Sequence, residues 1–265
     1  MIEAGSGLLI DFTVVTLGAF TVGMFVETLW PAREYVISIS RWLNNGGLAL
    51  LAYACNHLLG TWLVVLLITG LEPRSSLTLR NTPIWVDVTV TFFVLELSRY
   101  ALHIAMHKVP FLWRFHAVHH ADNEVDVSTS YRHHPIEAIF SALPLTVVVW
   151  MLASGPQALV IYRTWDLIMA VWTHTNVEVP SCLECWLRRV LVTPAFHRTH
   201  HLADRRFTDS NYGSSLPWFD YFFSTYQATT AEQQKCAQIG LKTHTANEQR
   251  LDGMLWAPLR LRLRD

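Results

Sequence analysis

The stretch FHAVHHADNEVDVSTSYRHHPIE, residues 115–137, holds five histidines in a chain that is otherwise mostly apolar. Of the thirteen histidines, eleven lie between 103 and 201; only His57 and His244 fall outside. Their spacing sorts them. His103 and His107 form HxxxH. His116, His119 and His120 form HxxHH. His197, His200 and His201 form a second HxxHH, within FHRTHH. His134 and His174 stand singly between these runs. On a helix, positions i, i+3 and i+4 share a face. Each HxxHH is therefore expected to present three imidazoles to one point, and HxxxH two. With the single positions, up to ten nitrogen ligands result. One zinc ion takes about four ligands, so the set suits two metal ions, each with room for a small exchangeable ligand. Imidazole binds iron, copper, nickel and zinc alike, so ligand type alone does not name the metal.

The elements that position these rings read as membrane helices. The chain has 265 residues, 51% hydrophobic and 15% charged, with a positive mean hydropathy. That balance argues against an ordinary soluble domain. A spanning helix needs about 20 apolar residues. Residues 8–30, 47–70 and 84–106 meet that length. Residues 136–174 are apolar but broken by SGP at 154–156, which predicts a hairpin of two short helices. Both ends of such a hairpin lie on one side of the membrane. The eleven Lys and Arg residues from 175 onward then place that side in the cytoplasm and the N-terminus outside. Polar residues within spans face the bundle interior; Asp11, His57, Asp87, Glu96, Arg163 and Asp166 are the candidates, with Arg163 and Asp166 spaced to pair.

Other chemistry is excluded or unsupported. A net charge of −1 gives no electrostatic basis for nucleic acid. Four scattered cysteines make no disulfide framework, and CLEC (Cys182, Cys185) has no second pair to build a zinc site with, so it reads as reduced thiols. The N-terminus lacks the basic start of a cleaved signal. No G-x-G-x-x-G nucleotide fingerprint and no haem-attachment motif occurs.

LHIAMH, RFHAVHH, RHHPIE, WTHTN, FHRTHH and NYGSSLPWFDYFFSTY, taken in order, resemble the fatty acid hydroxylase superfamily, which includes the sterol desaturases. The resemblance covers residues 90–226. It implies an all-α integral membrane bundle, about three spanning helices plus the hairpin, with a histidine-rich cytoplasmic cap holding two iron ions. Carried over, the eight clustered histidines are the metal ligands, His134 matches the histidine of an HP motif, and His174 matches a lone histidine after the last membrane helix. Some members carry a further HxxxH where this chain reads HTNVE, with Glu178 in the later position. Asp126, Arg132, Glu137, Asn176, Asp209 and Asn211 also match recurrent polar positions. Metal-bound imidazoles usually donate their second N–H to a carboxylate or carbonyl, a role open to Asp126, Asn176 and Asp209; loop capping is the alternative. Gly213 of NYG reads as the sharp point of a turn. LPWFDYFFSTY reads as an interfacial helix with aromatics toward lipid or a substrate entrance, or as core packing.

The implied activity is O₂-dependent oxidation of lipid C–H bonds, by hydroxylation or desaturation; the same ligands serve both. Electrons would come from an external carrier, a cytochrome b5-like protein or a ferredoxin. The competing class is a metal- or haem-binding membrane protein, a transporter or cytochrome. The expected layout is 1–83 as a membrane region of two helices, 84–230 as the catalytic domain and 231–265 as a cytoplasmic tail, in a bacterial inner membrane or the ER.

Overall fold

The computed structural model describes residues 2–34, 38–60, 79, 81–242 and 249–260. Helix α1 (Ile2–Leu29) leads to α2 (Ile39–Cys55), whose N-terminus is capped by the Ser38 side chain accepting from the Arg41 N–H. Helix α3 (Ile84–Lys108) turns at Val109 into α4 (Pro110–His120). Proline at the first position of α4 suits the bend, since it fixes φ and that N–H has no intrahelical partner. A 3₁₀ turn (Val127–Tyr131) precedes α5 (Pro135–Leu152) and α6 (Pro156–His174). Short helices follow: α7 (Ser181–Leu187), α8 (Pro194–His200), α9 (Arg205–Thr208), α10 (Trp218–Phe222) and α11 (Ala231–Cys236), then α12 (Leu251–Arg260). Among the described residues there is no strand, only two isolated bridges, Pro31 with Val177 and Leu202 with Ile239.

Three helical stretches are long and apolar enough to cross a membrane: Phe12–Leu29, Ile84–Lys108 and Pro135–Leu152. The first and second coincide with expected spans. The third is an arm of the hairpin. Its arms have 18 and 19 residues and meet at the SGP break, as expected. The expected span 47–70 begins in α2 and then runs beyond the described residues.

The hairpin turn is tied to α3. Asp87 accepts from the Gly155 N–H (2.8 Å) and the Thr91 hydroxyl (3.0 Å), and Thr91 meets Ser154 at 2.7 Å. Ala153 reverses the chain in the left-handed region, φ 50°. Deeper between the helices, Glu96 accepts from the Tyr162 hydroxyl (3.2 Å) and the Ser215 hydroxyl (2.5 Å). Arg163 meets Asp166 at 3.4 Å as its spacing suggests, but Arg99 of α3 meets it more closely, at 2.6 Å. His57 stacks on Tyr53. The Asp11 side chain and His244 lie outside the described residues.

Two apolar clusters fix the helices that carry histidines. Leu95, Val148, Leu152 and Tyr162 lock α3 to the hairpin. Leu48, Val118, Met254 and Ala257 lock α4 between α2 and α12. Full burial of a side chain such as Met254 stabilises by about 1.5–3 kcal/mol. Helix α1 reaches the same region through Gly23, where a Cβ would sit 2.7 Å from Val127 Cγ1 and 3.1 Å from Val171 Cγ1.

Candidate metal centre

Nine histidines converge into two adjacent groups. His103, His107, His116, His120 and His200 form one; His119, His174, His197 and His201 form the other, with the ligand atoms of each group within 4.8 Å of one another. The last turns of α3, α4, α6 and α8 supply these side chains. Helix α8 begins with the Thr193 hydroxyl capping the Phe196 N–H and with Pro194 at its first position. That local signal sets the phase of FHRTHH.

The partition differs from the expectation of one point per motif. His116 and His120 join the first group while His119 joins the second; His197 and His201 join the second while His200 joins the first. The reason is angular. At about 100° per residue, positions i and i+4 lie about 40° apart, and i+3 falls about 60° to the other side. Each HxxHH therefore straddles both groups, and the two motifs do so in opposite senses.

The orientation of four rings comes from the second nitrogen of the imidazole. His103 Nδ1 donates to the Tyr212 carbonyl (2.7 Å), His200 Nδ1 to the Ser210 carbonyl (2.6 Å) and His174 Nδ1 to the Ala170 carbonyl (2.7 Å). His116 Nδ1 donates to Glu137 Oε1 (2.8 Å), which also accepts from His133 Nδ1 (2.9 Å). These partners put the proton on Nδ1 and leave Nε2 as a lone pair. In the first group the Nε2 atoms of His103 and His116, and of His103 and His200, approach to 3.1 Å. In the second, His174 Nε2 lies 3.2 Å from His119 Nε2 and 3.0 Å from His197 Nε2, and His197 Nε2 lies 3.2 Å from His201 Nε2. Between His103 and His116 and between His103 and His200 both Nε2 atoms carry lone pairs, which repel at that spacing unless a cation lies among them. His120 Nε2 and both nitrogens of His107 are buried with no hydrogen-bond partner. The donors fit a pair of metal ions.

Electrostatics agree. Burial, followed by the neighbouring imidazoles, pushes His119, His120, His197, His200 and His201 well below the usual histidine range. The rings are neutral at pH 7, which is the form that ligates metal.

Helix α4 is held in place by charges from outside its own segment. Arg41 Nε donates to Asp122 Oδ1 (2.8 Å) and Arg41 Nη1 to Asp126 Oδ2 (2.8 Å). Asn45 Nδ2 donates to Asp122 Oδ2 (3.1 Å). Arg132 Nε donates to the Val118 carbonyl, inside the HxxHH turn (2.9 Å), and Arg132 Nη1 to Asn45 Oδ1 (2.7 Å). Burial raises the Asp122 carboxyl, but the Arg132 and Arg41 guanidinium groups outweigh it and hold it below the usual carboxylate range.

The remaining sequence candidates are placed differently. His134 joins neither group: its Nδ1 accepts from the Ile136 N–H as the N-cap of α5, and its Nε2 faces the Leu255 carbonyl at 3.3 Å. Asp126 hydrogen-bonds Arg41, Trp42 and Ser128 rather than an imidazole. Asn176 pairs with the backbone of Arg33. Both are loop ties, because each carboxylate or amide is turned away from the rings toward a neighbouring segment. Asp209 does approach the site, with Oδ1 3.5 Å from His107 Nδ1, while also meeting Lys108 at 2.9 Å. Glu178 is exposed beside Lys235.

The carboxylate that meets an imidazole most closely among the described residues is Glu137, at 2.8 Å, which the sequence marks only as a recurrent polar position. Its signal was present: in HHPIE, Pro135 opens a helix and Glu137 falls in its first turn. The NYG loop acts through its backbone. Asp220 accepts from the Tyr212 and Gly213 N–H groups (2.8 and 2.7 Å), which aims the Tyr212 carbonyl at His103. A Cβ on Gly213 would lie 2.6 Å from the Leu216 carbonyl oxygen, so close approach is what requires glycine there.

A family model described as fatty acid hydroxylase matches residues 88–225, just over half of the chain. The chain belongs to the fatty acid hydroxylase family. Every histidine of the two groups falls within the matched residues, whereas Arg41, Asn45 and the α12 contacts lie outside them. Human alkylglycerol monooxygenase (Homo sapiens) is 29% identical over 140 residues, covering 52% of this chain and 30% of that protein. An ornithine lipid hydroxylase of Rhizobium tropici is 25% identical over 223 residues, covering 81% and 64%. A very-long-chain aldehyde decarbonylase of Oryza sativa subsp. indica is 27% identical over 171 residues, covering 58% and 26%. The chain thus spans less than a third of the alkylglycerol monooxygenase and under two thirds of the ornithine lipid hydroxylase. No solved structure matches this member of the family significantly.

Proposed function

We propose that the protein is a membrane-bound, iron-dependent oxidoreductase that uses O₂ to oxidise a C–H bond of a lipid. One observation carries the reading: nine imidazoles, eight buried and one half-buried, arranged as two touching groups, five and four, beside helices fit to cross a bilayer. The names of the relatives support a lipid substrate, since a glyceryl ether, an ornithine lipid and a long-chain aldehyde all combine an apolar chain with a polar end.

His103, His107, His116, His120 and His200 would hold one iron ion, and His119, His174, His197 and His201 the other. Bound iron supplies the O₂-dependent oxidising power that no side-chain acid, base or nucleophile has toward a C–H bond. The protein's share is positional. Glu137 and the carbonyls of Tyr212, Ser210 and Ala170 hold four rings by their Nδ1–H groups, which keeps each Nε2 free to ligate. The close packing of rings also shelters the site from water. For an alcohol product, one atom of O₂ enters the substrate and the other leaves as water, with two electrons from an external carrier and two protons. Residues 84–230 form the catalytic unit in this reading, with its histidine side in the cytoplasm.

The test is lipid mass spectrometry of cells with and without the full chain, together with iron analysis of the purified protein. A lipid that gains one oxygen or loses two hydrogens, with no change in a His119→Ala or His200→Ala variant that retains its fold, is expected. An unchanged lipid profile from protein loaded with iron at both groups would overturn the reading.

A further inference from the structure

The cap carries an apolar face that continues the surface of a spanning helix. Helices α7 and α10 and the residues just after them turn Leu183, Trp186, Val190, Trp218, Phe222 and Phe223 outward; Phe222 is 80% exposed and Trp186 68%. Two hydrogen bonds join the helices into one surface. Trp218 Nε1 donates to the Arg189 carbonyl (2.7 Å) and the Tyr221 hydroxyl to the Arg188 carbonyl (2.6 Å). The polar atoms of both rings are thereby satisfied inward, and their carbon edges face out. The exposed Arg189 guanidinium lies 4.9 Å over the Trp186 ring. A cation above an amphipathic ring is the arrangement found where acyl chains give way to headgroups.

The neighbours identify what covers this face. Trp218 stacks on Phe93 of α3 at 6.1 Å, and Phe223 stacks on Tyr100 at 5.7 Å. Phe93 is itself exposed on the outer side of α3, as is Leu97. Phe93 and Tyr100 are seven residues apart, about 10 Å along the helix axis. The lipid-facing surface of a span thus runs onto the cap without a polar break.

We propose that the α7–α10 face is seated in the bilayer, in the leaflet on the histidine side, as a second membrane contact of the cap beyond the spanning helices. It absorbs the CLEC segment, whose two thiols are free and exposed on α7 beside Trp186. This inference is independent of the catalytic reading, because it concerns surface and not chemistry.

The test uses the full chain in phosphatidylcholine vesicles. Spin labels go on variants that keep only Cys185 or only Cys236, with the other cysteines changed to Ser, and on Phe222→Cys in a background lacking all four. Cys236 is exposed on α11 among polar residues and serves as the water-facing reference. Collision with O₂, which partitions into lipid, is compared with collision with chromium oxalate, which stays in water. Labels at 185 and 222 should favour O₂, and the label at 236 chromium oxalate. Equal access of chromium oxalate to all three overturns the proposal in favour of a solvated face. Shielding of 185 and 222 from both reagents overturns it in favour of a protein partner or a second copy. If Phe222→Cys does not fold, the native Cys185 position decides alone.

Discussion

His119 and His120 are adjacent in the chain, yet their rings stand at 88° with centroids 5.5 Å apart, and they belong to different imidazole groups. The first group holds five rings and the second four. Removing His119 leaves three ligands, whereas removing His120 leaves four. If each group holds one ion, as proposed, His119→Ala should bring the metal content from two ions per chain toward one, while His120→Ala retains more of it. Both should lose activity by more than about a hundredfold, beyond what loss of a ring's outer partner causes. Metal analysis of the purified variants, read beside turnover, checks the order; equal metal loss in both would contradict the partition.

Glu137 carries a different expectation. Its carboxylate accepts from His116 Nδ1 at 2.8 Å, closer than Asp209 comes to His107, at 3.5 Å. Glu137→Gln keeps the size but removes the negative charge from His116 Nδ1–H. Metal affinity at the first group should fall about 10–100-fold, with Glu137→Ala worse. Competition with a chelator measures this directly, and an unchanged affinity in Glu137→Ala would show that His116 needs no such partner.

Arg41 serves two buried carboxylates, Asp122 and Asp126, neither of which is solvent-exposed. Arg41→Ala removes the guanidinium that meets both, leaving Asp122 to Asn45 and Thr129 and Asp126 to Trp42 and Ser128. A broken buried pair costs about 3–5 kcal/mol, so thermal unfolding in vesicles should drop well below the wild-type temperature, and Arg41→Lys should recover only part of the loss because it cannot span both carboxylates. The metal content of Arg41→Ala should fall too, since Asp122 anchors the end of α4 two residues after His120.

His134 supplies the contrasting case. Both of its nitrogens engage backbone groups, and it caps α5. His134→Ala should leave the metal content at two ions per chain while lowering stability by about 0.5–2 kcal/mol, the usual range for a lost N-cap. Loss of a metal ion in this variant would place His134 among the ligands after all.

Much of this protein was legible in its residues because the relevant physics is local. Apolar runs of membrane length, the break at SGP and the i, i+4 spacing of histidines each act within a few turns of one helix. They announced an all-α membrane protein and the eight clustered histidines that the structure brings together with His174. Tertiary structure decided the rest. The spacing separates i+3 from i and i+4, but which of two points each side meets depends on how four helix ends cross and could not be read from it. The partner of His116 sits 21 residues away, and Arg41 reaches Asp122 and Asp126 across 81 and 85 residues. Contacts at such separations leave no periodic trace in a chain; they arise only when packing of the apolar faces has brought α2, α4 and α5 side by side.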